Sequence, residues 1–305
     1  MKRLFFAVFS IFFFTFMLCF PEETLAGASS GLLLWFQIVI PTLLPFLILT
    51  NFLIKTNTIY YITRVTGPIF QKLFGLTSFG SFAALTGLLC GYPVGAKVTA
   101  ELLRTKEISI DEGKYLLSFC NNTSPAFITS FIVLQNFKDK SLLLPTLIIL
   151  YSSPFLCSII FRNIYKISSK ALPQNENYNK SIVFNFNIVD ASIMDGFETI
   201  TKIGGYIILF SILFSFLKDT PFHIILPWLE ITNGISIINK TRSSFEAIYI
   251  YTLSLTSFGG LCSVAQTSSM LTDTGLSTVA YTTQKLITTL ATSLLAFLYV
   301  TIILQ

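Results

Sequence analysis

Apolar runs and polar interruptions alternate along the whole chain. Gly31–Ile54, Tyr115–Phe137, Ser141–Phe161, Ile200–Leu217 and Leu286–Leu304 are smooth apolar stretches, each near the roughly 17–25 residues that a bilayer-spanning helix needs. Other segments are apolar but broken. Gly67–Leu103, Pro221–Ile238 and Phe245–Leu271 carry Gly, Pro, Asn, Ser and Thr where a simple span would be smooth. Broken backbone survives at membrane depth only where it is buried in protein or lines a wet cavity. The pattern therefore predicts an all-α polytopic membrane protein with re-entrant helical hairpins and discontinuous helices.

Composition agrees. Hydrophobic residues make up 53% of the 305 residues, charged residues 11%, and 31 residues are Phe; soluble domains carry about 25% charge. Mean hydropathy is +0.72. The net charge of +5 comes from basic residues scattered between apolar runs. They form no stripe suited to a phosphate backbone, so no nucleic-acid partner is expected. The lipid bilayer is the expected surrounding, and self-association is left open.

The amino terminus joins Lys2-Arg3 to an apolar run, Leu4–Phe20, followed by Ala26-Gly27-Ala28. Residues 1–28 thus read as a retained transmembrane helix or as a signal-like anchor with a small-residue cleavage site. A first repeat is expected over 29–165, a polar cytoplasmic linker over 166–195, and a second repeat over 196–305. The basic residues support a cytoplasmic N-terminus and linker if Phe79–Leu103 dips in and returns. Lys55, Arg64, Lys72, Arg104, Lys106, Lys114, Arg162, Lys166, Lys170, Lys180 and Lys202 then join Lys2 and Arg3 inside. Lys138, Lys140, Lys218, Lys240 and Arg242 fall outside, as the positive-inside rule favours. Lys97 and Lys285 remain embedded.

Segments of the two halves match at a nearly constant offset. Cys90–Lys97 aligns with Gly259–Gln266, Arg64–Gly67 with Glu230–Gly234, and Thr123-Ser124 with Thr292-Ser293. With the orientation above the repeats have inverted topology, an arrangement common in secondary transporters. Their discontinuous parts are then expected around one central site.

Candidate chemistry lies in the interruptions. In Gly91-Tyr92-Pro93-Val94-Gly95-Ala96-Lys97, glycines and proline permit a tight reversal, and the next helix would aim its N–H groups at a solute. Gly91, Tyr92, Gly95 and Lys97 are candidate substrate contacts, with Glu101 on the same helical face as Lys97. Gly260, Ser263 and Gln266 form the expected second hairpin tip. In Asn121-Asn122-Thr123-Ser124-Pro125 the proline frees a backbone carbonyl. Asn121, Asn122 and Ser124 are candidates for substrate, and Thr123 for an ion. Glu230 and Asn233 share a face and could bind a cation or take up a proton. Gly234 is expected to end that helix.

Cys19, Cys90, Cys120, Cys157 and Cys262 contain no CxxC pair, and His223 is the single histidine, so neither a disulfide framework nor a metal site is expected. GxSxG with partners, a P-loop, GxGxxG and HExxH are all missing, and no enzyme is expected. No cofactor is expected beyond Na+ or H+ as a coupling ion.

At the Gly91–Lys97 and Asn121–Pro125 motifs the chain resembles the sporulation integral membrane protein family of the YlbJ type, whose members carry the nucleoside-recognition Gate domain. Trp35 with Pro41–Phe46, Leu229–Gly234 and Ser257–Gly260 add to the match, which runs over nearly the whole chain from about Ser29. Gate-domain proteins are similar to the core of concentrative nucleoside transporters. The resemblance implies inverted repeats, two re-entrant hairpins and cation-coupled transport. It also implies the outer forespore membrane and movement of dipicolinic acid during sporulation. Lys97 in the first tip departs from the transporter pattern and suits an anionic metabolite. The resulting expectation is a secondary transporter or facilitator of a small anionic solute. A nucleoside-type transporter and a non-transporting assembly protein of the spore envelope are the alternatives.

Overall fold

The computed structural model describes residues 2–167, 185–218, 220, 221 and 225–303. All regular elements among them are helices. Of the expected linker 166–195, residues 168–184 lie outside the described residues, as does His223.

Helix α1 is Lys2–Cys19, and α2 is a long apolar helix, Pro21–Lys55, with a wider π-type turn at Trp35–Val39. Next come α3 (Ile59–Phe74), α4 (Ser78–Cys90), α5 (Val94–Arg104) and α6 (Ile110–Phe119). Helices α7 (Pro125–Phe137) and α8 (Lys140–Ile164) complete the first half. The second half holds α9 (Phe186–Leu217), the short α10 (Leu226–Leu229) and α11 (Ile231–Ile238). It closes with α12 (Phe245–Phe258), α13 (Gly260–Met270) and α14 (Thr278–Ile302).

Five lengths among the described residues are long and apolar enough to cross a membrane: α2, α8, α9, the α12–α13 pair and α14. They turn large apolar side chains outward, such as Leu144 and Ile148 on α8 and Leu290 and Leu294 on α14. A surface of this kind suits hydrocarbon, and the chain is an integral membrane protein.

Local chemistry sets the helix starts. Thr77, Ser109, Ser124, Ser244 and Ser277 each accept a backbone N–H of the following first turn, satisfying donors that a helix start leaves orphaned. Pro125 opens α7 at a position where its missing N–H costs nothing.

Two boundaries drawn from the sequence fall inside helices. Ala26-Gly27-Ala28 lies within α2, and buried Gly27 lets the helix approach the backbone of Ser211 and Ile212 on α9. The 195/196 boundary lies within α9, which begins at Phe186 rather than near Ile200 because Asn185 caps it there.

Side-chain contacts define the two ends of the bundle. At one end Arg104 Nη2 donates to the carbonyls of Met270 and Thr272 at 3.0 and 2.8 Å. There too, Gln284 Nε2 donates to Tyr165 Oη at 2.6 Å. At the other end Phe137 stacks on Tyr249 with ring centres 5.3 Å apart, and Tyr249 meets Tyr299 at 5.6 Å.

Helices α4 and α5 fold against each other as a hairpin, with Gly87 and Gly95 in backbone contact across it. Thr77, at its start, donates from N and Oγ1 to Glu112 Oε1 at 2.7 and 2.9 Å, beside the Arg104 end.

The expected second hairpin is corrected. Gly259 and Gly260 have φ of +87° and +79°, yet the chain continues forward. Phe245–Met270 is one interrupted length of 26 residues that passes from the Phe137 end to the Arg104 end. Consecutive left-handed glycines break the hydrogen-bond ladder here without reversing it.

Candidate functional site: four interruptions around one cavity

Four breaks in helical structure meet deep in the bundle. The first is the hairpin tip Gly91–Pro93, where Tyr92 N donates to the carbonyl of Asn122 at 2.7 Å. That carbonyl belongs to the second break, Cys120–Ser124, where the run Tyr115–Phe137 leaves the helix instead of merely kinking at Pro125. The third is Gly259; a Cβ there would lie 3.3 Å from the Tyr92 ring. The fourth is Glu230, an extended residue between α10 and α11, and a Cβ on Gly260 would lie 3.2 Å from Ile231 N. Thr123 Oγ1, donating to the carbonyl of Thr256 at 2.9 Å, ties the second break to the third.

These breaks line a cavity of about 70 Å³, room for a small cluster of waters. Its polar lining is Thr42, Tyr92, Thr123, Ser124, Glu230, Thr232, Ser263 and Gln266. Leu34, Ile38 and Leu43 from α2, Phe127 from α7, and Ile203 and Ile207 from α9 supply the apolar walls. The part of α2 that faces the cavity is the part around its π-type turn, a geometry often found at functional sites.

Glu230 is 3% exposed and caps α11, its two carboxylate oxygens accepting Thr232 N at 3.1 Å and Asn233 N at 2.9 Å. A buried carboxylate needs such donors, because an unsatisfied charge there would be costly. Gln266 Nε2 donates weakly to Cys262 Sγ at 3.3 Å.

Several candidates read from the sequence hold the site together without lining it. Asn121 joins four segments: Oδ1 accepts Ala96 N at 3.2 Å, while Nδ2 donates to Thr267 Oγ1 at 3.0 Å and Tyr281 Oη at 2.9 Å. Asn122 Nδ2 donates to the Phe119 carbonyl. Gly91 sits against the backbone of Ser124, and Gly95 against that of Cys120 and Asn121.

Asn233 does not share the Glu230 oxygens' direction; its Nδ2 donates to Ser211 Oγ on α9 at 3.3 Å. Gly234 lies inside α11 rather than ending it, packed on the Pro227 carbonyl.

Lys97 is also corrected. It does not share a cavity with Gln266. One turn beyond the tip it points toward the Arg104 end and donates from Nζ to Thr199 Oγ1 at 2.8 Å. There it lines a separate vestibule of about 250 Å³ with Asn51, Lys55, Glu101, Arg104, Asp195, Glu198 and Lys202. Lys55 pairs with Asp195 at 2.8 Å, Lys202 with Glu198 at 2.6 Å, and Arg104 with Glu101 at 3.7 Å. Among the described residues Lys97 is the vestibule cation with no ion pair.

Sequence reasoning left out Thr42, Thr232, Cys90 and Cys262, which line the central cavity. It also left Lys285 without a role, although a lone lysine inside an apolar span was the signal. Lys285 is 1% exposed, and its Nζ donates to Asn122 Oδ1 at 2.9 Å.

Residues 36–140 match the Gate family, described as nucleoside recognition. The resemblance read from the motifs is thereby shown. The chain is also similar to the sporulation integral membrane protein YlbJ of Bacillus subtilis (strain 168), at 25% identity over 313 aligned positions. That match covers 88% of this chain and 76% of the relative. No solved structure matches the chain. The Gate match contains the hairpin tip and the Cys120–Ser124 break but stops short of Glu230, Gly259 and Lys285, so the other half of the cavity lies beyond it.

Proposed function

We propose that this protein is a secondary transporter or facilitator that moves a small anionic metabolite across its membrane by alternating access, with dipicolinic acid the first solute to test. One observation carries the reading: four backbone interruptions from both halves of the chain meet around a single polar-floored cavity. Broken helices are expensive in a bilayer, and transporters use them to expose backbone groups at a midplane site. In this reading the α4–α5 hairpin is re-entrant and the two halves are inverted repeats about the cavity. The vestibule is the antechamber, and its unpaired Lys97 collects the anion.

The match to a nucleoside-recognition family supports a small solute, and the name of the Bacillus relative supports a sporulation setting, with the outer forespore membrane as the proposed location. No enzymatic step is proposed.

Purified protein in proteoliposomes is expected to give saturable dipicolinate uptake. Lys97→Ala should raise the half-saturating concentration about tenfold, the equivalent of ~1.4 kcal/mol, with a smaller change in maximal rate. Absence of saturable flux under every proton and sodium gradient would refute the proposal. The family description favours a nucleoside-type solute as the second reading; competition by uridine but not by dipicolinate would select it.

A further inference from the structure

We propose that the Lys285 ammonium is a built-in cation at the Cys120–Ser124 break, filling the place of a bound sodium ion and making the protein independent of sodium. The break follows the C-terminal end of α6, the end at which a helix carries partial negative charge and favours a cation. An Asn side-chain oxygen at that end is the kind of hard oxygen donor that an alkali ion takes. In this chain that oxygen is already engaged. Lys285 reaches across from α14 and donates to Asn122 Oδ1 at 2.9 Å, over 163 positions of sequence. The Asn122 amide is fixed from its other side by donation from Nδ2 to the Phe119 carbonyl, which turns Oδ1 toward the lysine.

Among the described residues Lys285 forms no ion pair; the four that exist lie elsewhere. The titratable group facing it is the Cys120 thiol on the break itself. A buried ammonium without a carboxylate is costly to keep, so its place at the negative end of α6 is where its charge is best accommodated.

The same contact reaches the cavity. Asn122 accepts Tyr92 N through its backbone carbonyl, so the lysine steadies the residue that holds the hairpin tip. The tethered ammonium thus performs the structural task of an ion without exchanging with solution. This inference concerns an ion site and stands whichever solute the central cavity takes; failure of dipicolinate uptake would leave it intact.

The test uses the purified full chain in detergent, melted in sodium chloride and in choline chloride at equal ionic strength. Wild-type protein is expected to melt at the same temperature in both. Lys285→Ala should melt lower in choline and gain about 2–4 °C in saturating sodium, as a newly vacated cation site fills. Lys285→Met, which keeps most of the apolar stem, should behave alike. Sodium stabilisation of the wild type overturns the proposal, and so does a folded variant indifferent to sodium. If neither variant folds, the wild-type curve still decides: a flat response supports the built-in cation and a sodium-dependent rise refutes it.

Discussion

Asn121→Ala is expected to lower the melting temperature of the purified protein by roughly 5–10 °C. The side chain is fully buried and makes three hydrogen bonds, to Ala96 N on α5, Thr267 on α13 and Tyr281 on α14. A typical bond contributes about 0.5–1.5 kcal/mol, and interhelical bonds in membranes average about 0.6. Three lost together, with Tyr281 left short of a partner, amount to about 2–4 kcal/mol. For a chain of this size each kcal/mol moves the melting point by roughly 2–4 °C. The lower part of that product is the safer expectation, because a water can enter the vacated space. A fall under 2 °C in a detergent melt would mean that Asn121 does not hold the four segments together.

Thr42→Trp should stop solute movement while leaving the fold intact. Thr42 lies on the α2 wall of the cavity, and its hydroxyl donates within its own helix, to the Ile38 carbonyl at 2.6 Å and the Val39 carbonyl at 3.2 Å. Removing it strands no polar group on a neighbouring segment. An indole at this position projects its bulk into the cavity and opposes closure around a solute. Flux in proteoliposomes is expected to fall at least tenfold, or ~1.4 kcal/mol in barrier terms, with a melting temperature close to that of the wild type. Normal flux through a folded Thr42→Trp protein would place the path elsewhere.

The helical lengths were legible because apolar runs of spanning length have few other uses. The hairpin tip was legible too: Gly91 adopts φ of +84°, and the Gly-Tyr-Pro sequence permits little besides a turn. Gly259-Gly260 carries the same turn vocabulary and misleads. Two left-handed residues can reverse a chain or merely break its ladder, and the choice is made by α14 and by the corner at Glu230, which no local pattern reveals.

Lys97 was read onto the cavity because it follows the tip by four residues. A helix rises about 6 Å in that distance, which carries Lys97 away from the tip, and its long side chain extends to the vestibule. Lys285 was visible as a charge in an apolar span, but its partner lies on another helix end. Asn121 and Asn122 were read as substrate contacts; neither lines the cavity, and their bonds to distant segments account for them as scaffold.

The central claim is that the four interruptions surround a path open in turn to each face of the membrane. Cys262 lines the cavity and is 2% exposed, so it offers a native probe once the other four cysteines are replaced. Vesicles holding that protein can be treated from outside or inside with a small membrane-impermeant methanethiosulfonate, with and without dipicolinate. Alternating access predicts modification of Cys262 from both faces, slowed from both by the solute. Modification from neither face, or from one face alone with no protection, would contradict the account.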